Sequence, residues 1–317
     1  MTTVSFDNRV VIVTGAGGAL GRTYALDIAR RGGAVVVNDL GGSVEGLNAS
    51  HAAADQVVTE IKAAGGRAVA NYDSVATLAG AQRIVATTID TFGRVDALIN
   101  NAGTFLTDLF EDMREEDRDS LFEVHLAGTF NMTQAVWSHM KAQRYGRIVF
   151  TSSSAGMLVR EMLSAYGAAK AGITGLMNVL SQEGAPHGIL CNVLMPNAMS
   201  RMGEKMSEKI DPDAMKQTSS LMSAIGNAMN PAFTTGIALY LASEACTSTH
   251  SLYSSLGGRI ARVFIGVTEG WQGSREQPAT AEDIAAHINQ IRDTEHGFHI
   301  PQSLMDEYRI VATPKPA

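Results

Sequence analysis

The sequence predicts an α/β fold in which a doubly wound parallel sheet carries helices on both faces. Short β-branched runs alternate with helical stretches as far as about residue 245, and this alternation is typical of parallel strands joined by right-handed crossovers. The chain has 317 residues, of which 45% are hydrophobic and 18% charged, as expected for a compact globular protein. We therefore predict one domain over residues 1–249 and a C-terminal extension, residues 250–317, packed on the same domain.

The strands and helices follow one another in a regular order. Strands are predicted where Val, Ile, Ala and Leu dominate, at 10–13, 34–37, 67–70, 95–99, 147–150 and 189–193. Helices are predicted between and after them, at about 20–31, 51–64, 77–92, 114–142, 165–185 and 231–243. Glycine pairs at 32–33 and 65–66 end the first two helices, because glycine readily adopts left-handed C-terminal geometry. Residues 200–230 break the pattern and are interpreted as an insertion.

Charge and cysteine content narrow the class of function. The net charge is −7 and there is no Lys/Arg run, so we expect no nucleic-acid partner. Cys191 and Cys246 lack metal-ligand spacing, which indicates free thiols, a reducing compartment and no metal site. There is neither a signal peptide nor an apolar run of membrane-span length, and the last residues differ from the Ser-Lys-Leu peroxisomal signal. We therefore expect a cytoplasmic protein without a membrane partner.

A glycine-rich turn joins the first strand to the first helix. It reads Thr14-Gly-Ala-Gly-Gly-Ala-Leu-Gly21, and its missing side chains let the backbone approach a pyrophosphate at the helix N-terminus. This is the pattern of the dinucleotide-binding turn in a Rossmann-type fold, and a tight turn without a ligand is the alternative. The predicted cofactor contacts in the turn are Gly15, Gly17, Gly18, Ala19, Leu20 and Gly21.

An acidic residue, Asp39, ends the second strand. It lies near the offset at which a carboxylate accepts hydrogen bonds from the adenine ribose hydroxyls. The carboxylate would repel a 2′-phosphate, and no Lys or Arg stands just before Ala19. The sequence therefore favours NAD over NADP as the cofactor, unless Asp39 only starts the turn at Leu40-Gly-Gly42.

Polar segments also follow the third and fourth strands. Asp73 and Ser74 follow the third strand, and Asn100-Asn-Ala-Gly103 follows the fourth. Open α/β sheets bind ligands at the carboxyl ends of their strands. We therefore predict further cofactor contacts, with a purely turn-forming role for the asparagines as the alternative; the predicted residues are Asp73, Ser74, Asn101, Ala102 and Gly103.

Tyr166 and Lys170 are four residues apart in a predicted helix, and Tyr166 follows Ser153 by thirteen residues. Residues at this spacing share a helix face, so the ammonium can lie beside the phenol. A free phenol has a pKa near 10, and a neighbouring positive charge would lower that pKa and favour proton transfer near neutral pH. An ordinary half-buried tyrosine is the alternative.

Taken together, these motifs resemble the short-chain dehydrogenase/reductase family over residues 6–245. The resemblance implies hydride transfer between nicotinamide C4 and a carbinol or ketone carbon. Tyr166 is then the general acid/base, Ser153 holds the substrate oxygen, and Lys170 also binds the nicotinamide ribose. The resemblance further implies that Tyr166 and Pro196 contact the cofactor and that the protein is a homo-oligomer.

Two positions depart from the usual pattern of the family. His125 stands where Asn is usual, and that Asn helps to hold a water in the proton relay. An imidazole can both donate and accept, so His125 can serve the relay as a catalytic residue; a plain helix-interface residue is the alternative. Ala19 stands where the turn usually has Gly, and its methyl group can reshape the cofactor turn.

Several stretches resemble one branch of the family, the (3R)-hydroxyacyl-CoA dehydrogenase part of the peroxisomal D-bifunctional protein. They include residues 35–42, 124–128 and 195–198, and His at position 125 is usual in that branch. The resemblance implies NAD-dependent oxidation of a 3-hydroxyacyl-CoA or of a steroid hydroxyl. A 3-oxoacyl thioester reductase or polyol dehydrogenase, and a non-catalytic NAD-binding protein, are the alternatives.

A methionine-rich segment, residues 199–230, is predicted to be a mobile lid over an apolar acyl or steroid group. Flexible thioethers fill irregular apolar surfaces, and ligand pockets are mostly apolar. An oligomer contact or an ordinary helix core is the alternative. Nearby basic residues could meet the phosphates of CoA or form a solvated face; they are Arg160, Arg201, Lys205 and Lys209.

Overall fold

A computed structural model describes residues 3–42, 50–158, 160–198, 220–221 and 223–312. Its main feature is one sheet with the strand order β3-β2-β1-β4-β5-β6-β7-β8. Strands β1 to β7 pair in parallel, which confirms the predicted fold class. The strands are β1 Val10–Thr14, β2 Ala34–Asn38, β3 Arg67–Asn71, β4 Ala97–Asn100, β5 Gly146–Thr151, β6 Ile189–Asn197, β7 Ser251–Leu256 and β8 Arg259–Val263.

Helices connect the strands of the large sheet at the predicted places, whereas the helix Leu304–Ala312 in the C-terminal extension was not predicted. Between α4 and α5 the chain makes a π turn, Phe122–Ala127, where the sequence predicts one uninterrupted helix over 114–142. The hydrophobic pattern could not show this widening because it changes the helix register by one residue only. The helices are α1 Ala19–Arg30, α2 Ala52–Ala63, α3 Leu78–Phe92, α4 Glu115–Leu121, α5 Gly128–Gln143, α6 Ser164–Gly184, α7 Ala232–Ala242, α8 Ala281–Ile291 and α9 Leu304–Ala312.

The core of the sheet is made of small and β-branched side chains. Every residue of β1, β2, β4 and β5 is buried, because helices cover both faces of a parallel sheet. Val13, Val37 and Ile99 belong to one cluster with Ile28 of α1 and Leu241 of α7. Full burial of such a side chain stabilises the fold by about 1.5–3 kcal/mol. The sheet is therefore a firm support for the loops at its edges.

The strand order reverses between β1 and β4. From β1 the chain proceeds outward through β2 and β3, then returns to add β4, β5 and β6 on the other side. The loops after β1 and β4 consequently leave in opposite directions and open a crevice at the carboxyl edge of the sheet. The polar segments that were selected from the sequence lie in the loops at this edge of the sheet.

The chain divides into two compact units, Met1–Arg262 and Val263–Ala317. The first continues past the predicted boundary at residue 249, since β7 pairs with β6. The serine-rich run of β7, Ser251-Leu-Tyr-Ser-Ser-Leu256, gave no strand signal in the sequence. The second unit contains α8, α9 and an antiparallel pair, β9 Val267–Thr268 with β10 Phe298–His299. Packing of residues 263–317 on the main domain stays a prediction.

Most of the predicted lid, residues 199–219 and 222, lies outside the described residues, as do Arg201, Lys205 and Lys209. Of the remaining lid residues, Gly226–Met229 form a short 3-10 turn. Arg160, the fourth of the basic residues named with the lid, is exposed. Among the described helices, none is long and apolar enough to cross a membrane. The same residues contain no group of three or more His, Cys, Asp and Glu side chains arranged to hold a metal ion.

Candidate active site

The glycine-rich loop after β1 packs tightly against the loop after β4. Gly15 has a φ of +63°, and a Cβ on this residue would lie 2.8 Å from the Cα of Ala102. A side chain here would both strain the backbone and separate the two loops. Glycine at position 15 therefore preserves the narrow crevice between β1 and β4.

Thr14 and Asn101 lock these two loops together. Asn101 Nδ2 donates to the carbonyl oxygens of Thr14 and Gly15, at 2.9 and 3.1 Å. In return, Thr14 Oγ1 accepts from the backbone N–H groups of Asn101 and Ala102, each at 3.0 Å. Asn101 and Ala102 thus support the glycine-rich loop. Thr14 was not among the predicted site residues, although a hydroxyl at the end of a buried strand was a usable signal.

The N-terminus of α1 points its backbone donors into the same crevice. Gly18 is the N-cap residue and no side chain caps the helix. The first N–H groups, including those of Ala19, Leu20 and Gly21, are therefore available to an anion, and the helix dipole favours one there. Ala19 is exposed, and a Cβ on Gly18 would meet only Gly15 O, at 3.7 Å. The extra methyl group of Ala19 therefore does not fill the turn.

Asp39 joins the glycine-rich loop to the loop after β2. Its Oδ2 accepts from Gly17 N and its Oδ1 from Gly41 N, both at 2.7 Å. Asp39 therefore starts the turn at Gly41 and also faces the glycine-rich loop. A role in the turn and a role at the cofactor crevice are thus compatible. An ionised carboxylate offers about four acceptor sites, so hydrogen bonds to a ligand hydroxyl remain possible.

Predicted residues also lie just after β3 and near the end of β6. Asp73 accepts from Arg83 Nε at 2.6 Å and from Asn71 Nδ2 at 3.0 Å. Ser74 Oγ accepts from Ala76 N at 3.2 Å. Pro196 is half-buried near the end of β6, where it pairs with Ser255 of β7. All three lie at the carboxyl edge of the sheet.

Ser153, Tyr166 and Lys170 meet where β5 and α6 adjoin. Ser153 follows β5; its Oγ accepts from Ala155 N at 3.2 Å, and its hydroxyl is near enough to the phenol of Tyr166 to oppose the rise in the pKa of that phenol. Lys170, one helical turn beyond Tyr166, is 4% exposed and its Nζ lies 5.6 Å from the centre of the Tyr166 ring. Lys170 Nζ also donates to Thr151 O at 2.7 Å. The structure thus brings together the three residues that the sequence spacing selected.

Burial sets the protonation of this group. It raises the pKa of the half-buried Tyr166 phenol, and the hydroxyl of Ser153 acts in the opposite direction. Burial lowers the pKa of Lys170 to about 7. Both directions favour the neutral forms, because desolvation disfavours charge. The expectation that Lys170 lowers the pKa of Tyr166 is therefore not met in the protein alone, where the phenol holds its proton.

Two aromatic rings contact Tyr166 edge-on. Phe105 lies 5.3 Å away and the buried His125 lies 5.2 Å away, measured between ring centres. His125 belongs to the π turn, and Phe105 to the loop after β4. Farther along that loop Leu109 and Phe110 are exposed, as is Leu158 after β5. Apolar side chains thus follow two of the strands that end at the site.

Comparison with known proteins gives a consistent result. The family model described as "short chain dehydrogenase" matches residues 9–211. The chain is 41% identical to the peroxisomal multifunctional enzyme type 2 of Mus musculus over 302 residues, which are 95% of this chain but 39% of the relative. It therefore spans well under half of that protein.

Two mycobacterial relatives match over nearly their full length. A putative short-chain type dehydrogenase/reductase of Mycobacterium tuberculosis is 40% identical over 286 residues, covering 90% of this chain and 94% of the relative. The crystal structure of a short chain dehydrogenase from Mycobacterium avium superposes with a TM-score of 0.76 at 34% identity, covering 90% of this chain and 95% of the other.

Proposed function

This chain belongs to the short-chain dehydrogenase family, and from that premise we propose that it uses NAD to interconvert a secondary alcohol and a ketone. The observation that carries the proposal is the proximity of the Ser153 hydroxyl, the Tyr166 phenol and the buried Lys170, whose Nζ lies 5.6 Å from the centre of the Tyr166 ring. A nucleophile or a metal centre is not needed for such a reaction. A positioned hydroxyl that can give and take a proton is needed.

The crevice fits a dinucleotide. The tight loop at Gly15 and the uncapped N-terminus of α1 suit a pyrophosphate. The carboxylate of Asp39 suits the adenine ribose hydroxyls and disfavours a 2′-phosphate, which supports NAD over NADP. NAD supplies the acceptor or donor of hydride.

The protein side of the reaction is a proton transfer. In the reducing direction Tyr166 gives its proton to the substrate oxygen, and in the oxidising direction it takes the hydroxyl proton back. Ser153, next to the phenol, donates a hydrogen bond to the same oxygen and fixes its place. Lys170, with a pKa near 7, can change its charge as the phenol loses or regains a proton.

We propose a bulky apolar substrate, a 3-hydroxyacyl-CoA or a steroid hydroxyl. The proposal is supported by the apolar residues Phe105, Leu109, Phe110 and Leu158 after β4 and β5. An acyl chain or a sterol ring is the kind of group that such side chains bind.

The assay is NADH formation by the purified protein. Matched (3R)- and (3S)-hydroxyacyl-CoA esters, a hydroxysteroid and a polyol are compared, each with NAD and with NADP. We expect turnover with NAD and one hydroxyacyl-CoA enantiomer or the steroid. Turnover with NADP alone would contradict the role of Asp39, and a polyol preferred over both apolar substrates would contradict the substrate class.

Tyr166→Phe tests the chemistry. Loss of the phenol hydroxyl should lower kcat by about 10²–10⁴-fold, while NAD binding persists. Tyr240→Phe is the matched control, because Tyr240 lies on α7 against the core. Equal activity of the two variants would mean that the phenol takes no part in proton transfer.

We further propose a cytoplasmic homo-oligomer. Phe130 on α5 and Val179 on α6 are exposed apolar side chains, 48% and 56% accessible, of the kind that subunit interfaces cover. Sedimentation of the wild-type protein and of a Phe130→Glu, Val179→Glu variant tests the oligomeric state. A wild-type monomer would contradict the homo-oligomer.

A further inference from the structure

The turn between β7 and β8 places an arginine at the carboxyl edge of the sheet. β7 runs parallel to β6 and ends at Leu256, opposite Asn197. Gly257 and Gly258 follow with φ of +59° and +80°, and a two-residue turn of this kind reverses the chain into an antiparallel strand. β8, the neighbour of β7 in the sheet, therefore starts with Arg259 at the same edge as the candidate active site.

Three side chains form a row across the last strands of the sheet. Residues opposite each other on neighbouring strands point to the same face, and Leu256 lies opposite Asn197 and, across the two-residue turn, opposite Arg259. Asn197 Nδ2 donates to Ser154 Oγ at 3.3 Å. Ser154 directly follows Ser153, which is proposed to hold the substrate oxygen. The row thus begins beside the proposed substrate oxygen and ends at the guanidinium of Arg259.

The positive charge of Arg259 is not neutralised by a neighbour. Its side chain is exposed and has no ion-pair partner among the described residues, whereas Arg22 is paired with Glu60 and Arg83 with Asp73. Residues 251–262 contain two arginines and no acidic residue. A phosphate that reaches this turn therefore meets a guanidinium that can bind it through charge-assisted hydrogen bonds.

The opposite side of the site is acidic. Residues 108–123, which follow β4, contain eight Asp and Glu side chains against two arginines. The crevice between β1 and β4, on the same side, is proposed to hold NAD. An anionic substrate tail would be repelled there and attracted toward β8. The charge distribution therefore selects the β8 side of the carboxyl edge for a substrate that carries phosphates.

The distance along the row fits a CoA thioester. Three strand spacings of about 4.8 Å separate β5 from β8, which gives about 14 Å. The pantetheine arm of CoA is as long as about four to five extended peptide residues, or about 14–17 Å. A thioester with its hydroxyl at Ser153 can therefore bring its first phosphates to Arg259. Leu256, 39% exposed between the two ends, suits the apolar part of the arm.

We propose that Arg259 binds the phosphate groups of a CoA thioester, and that the row of Asn197, Leu256 and Arg259 is the path of its pantetheine arm. The inference rests on the proposed function, and it selects the hydroxyacyl-CoA over the steroid as the substrate, because a steroid carries no phosphate. Arg259 lies far from the reacting atoms and binds substrate and transition state equally. It therefore contributes to KM and not to kcat.

Arg259→Gln removes the charge and keeps a polar side chain. With a 3-hydroxyacyl-CoA we expect KM to rise by about fivefold, as for one exposed ion pair, with kcat unchanged. With the matching N-acetylcysteamine thioester, which has the same acyl group and no phosphate, KM should equal that of wild type. Arg67→Gln is the matched control, because Arg67 is an exposed arginine that starts β3, the strand at the other end of the sheet. It should leave both KM values unchanged.

A wild-type KM of Arg259→Gln for the CoA ester would overturn the proposal. Equal rises in KM for both thioesters would also overturn it, because they would place the effect at the acyl group and not at the phosphates. Arg259→Glu, which reverses the charge, should raise KM for the CoA ester further than Arg259→Gln does. A smaller rise in Arg259→Glu would contradict a phosphate contact.

Calorimetric titration with CoA tests the site without catalysis. The protein is first saturated with NAD, so that the adenosine of CoA does not enter the cofactor crevice. CoA should bind Arg259→Gln about fivefold more weakly than wild type, and added salt should reduce this difference. Equal affinities would overturn the inference. A wild-type protein that binds CoA through Arg259 but oxidises no alcohol would refute the proposed function and leave the phosphate site in place.

Discussion

Replacing Lys170 by Met should change how the stability of the protein depends on pH. The ammonium is 4% exposed, and burial lowers its pKa from 10.5 to about 7. Met has a similar length and no charge, so the variant removes the titration and keeps most of the packing. The substitution also removes the hydrogen bond from Lys170 Nζ to Thr151 O. This loss lowers the free energy of unfolding by an amount that does not depend on pH.

The sign follows from proton binding. Between the folded pKa near 7 and the unfolded pKa of 10.5, the unfolded chain keeps the Lys170 proton while the folded protein releases it. The stability linked to Lys170 is therefore complete above the unfolded pKa and is lost as the pH falls to the folded pKa. One pH unit inside this window corresponds to at most about 1.4 kcal/mol. From about pH 7 to pH 9, allowing for partial titration at the lower end, wild type should gain about 2 kcal/mol relative to Lys170→Met.

Urea unfolding followed by circular dichroism at several pH values in this window measures the difference. Subtracting the stability of the variant from that of wild type cancels the contributions of other groups. One of these is Cys191, which titrates near pH 9.0 in the unfolded chain only, because burial raises its pKa in the folded protein to about 12. Lys62→Met is the control, since Lys62 is exposed on α2, and its difference from wild type should be flat. A flat difference for Lys170→Met as well would show that the buried lysine stays charged, and would refute the reasoning.

Three further predictions concern the loops around the crevice. Gly103→Ala should lower the free energy of unfolding by about 1–3 kcal/mol through overpacking, because the methyl group meets His125. Adding His125→Ala should recover part of this loss. Additive losses in the double variant would contradict the contact. Thr14→Val removes the acceptor of two backbone N–H groups and should lower stability by about 1–3 kcal/mol in urea unfolding, with Thr14→Ser close to wild type. Asp39→Asn should lower the ratio of kcat/KM with NAD to kcat/KM with NADP by about fivefold, for a lost repulsion of about 1 kcal/mol. An unchanged ratio would contradict the assignment of Asp39.

The sequence contained most of the fold because its strands are buried on both faces. Runs such as Val10-Val-Ile-Val13 and Ala34-Val-Val-Val37 are apolar throughout, which only a doubly covered parallel sheet requires. Strand β7 was missed because its serines are polar and its burial comes from pairing with β6. The π turn was missed since it changes the helix register by one residue, which hydrophobic periodicity does not resolve.

The candidate site was predictable where a residue type and its spacing carry the chemistry. The i,i+4 spacing of Tyr166 and Lys170 correctly placed the two side chains together, because helix geometry is local. The predicted lowering of the Tyr166 pKa by Lys170 is not met in the protein alone, because burial raises that pKa and no local pattern states how deeply the fold buries the phenol. The tautomer of His125 likewise depends on Thr104 O, a backbone atom twenty-one residues away.

The loop after β4 joins the two halves of the site. At one end, Asn101 holds the glycine-rich loop through Thr14 and Gly15. A few residues on, Thr104 accepts from His125 and Phe105 meets Tyr166. A shift of this short segment would therefore move the crevice beside the glycine-rich loop and the phenol of Tyr166 together. Such coupling suits the proposed function, since hydride and proton transfer require both reacting partners to be held to within a fraction of an ångström.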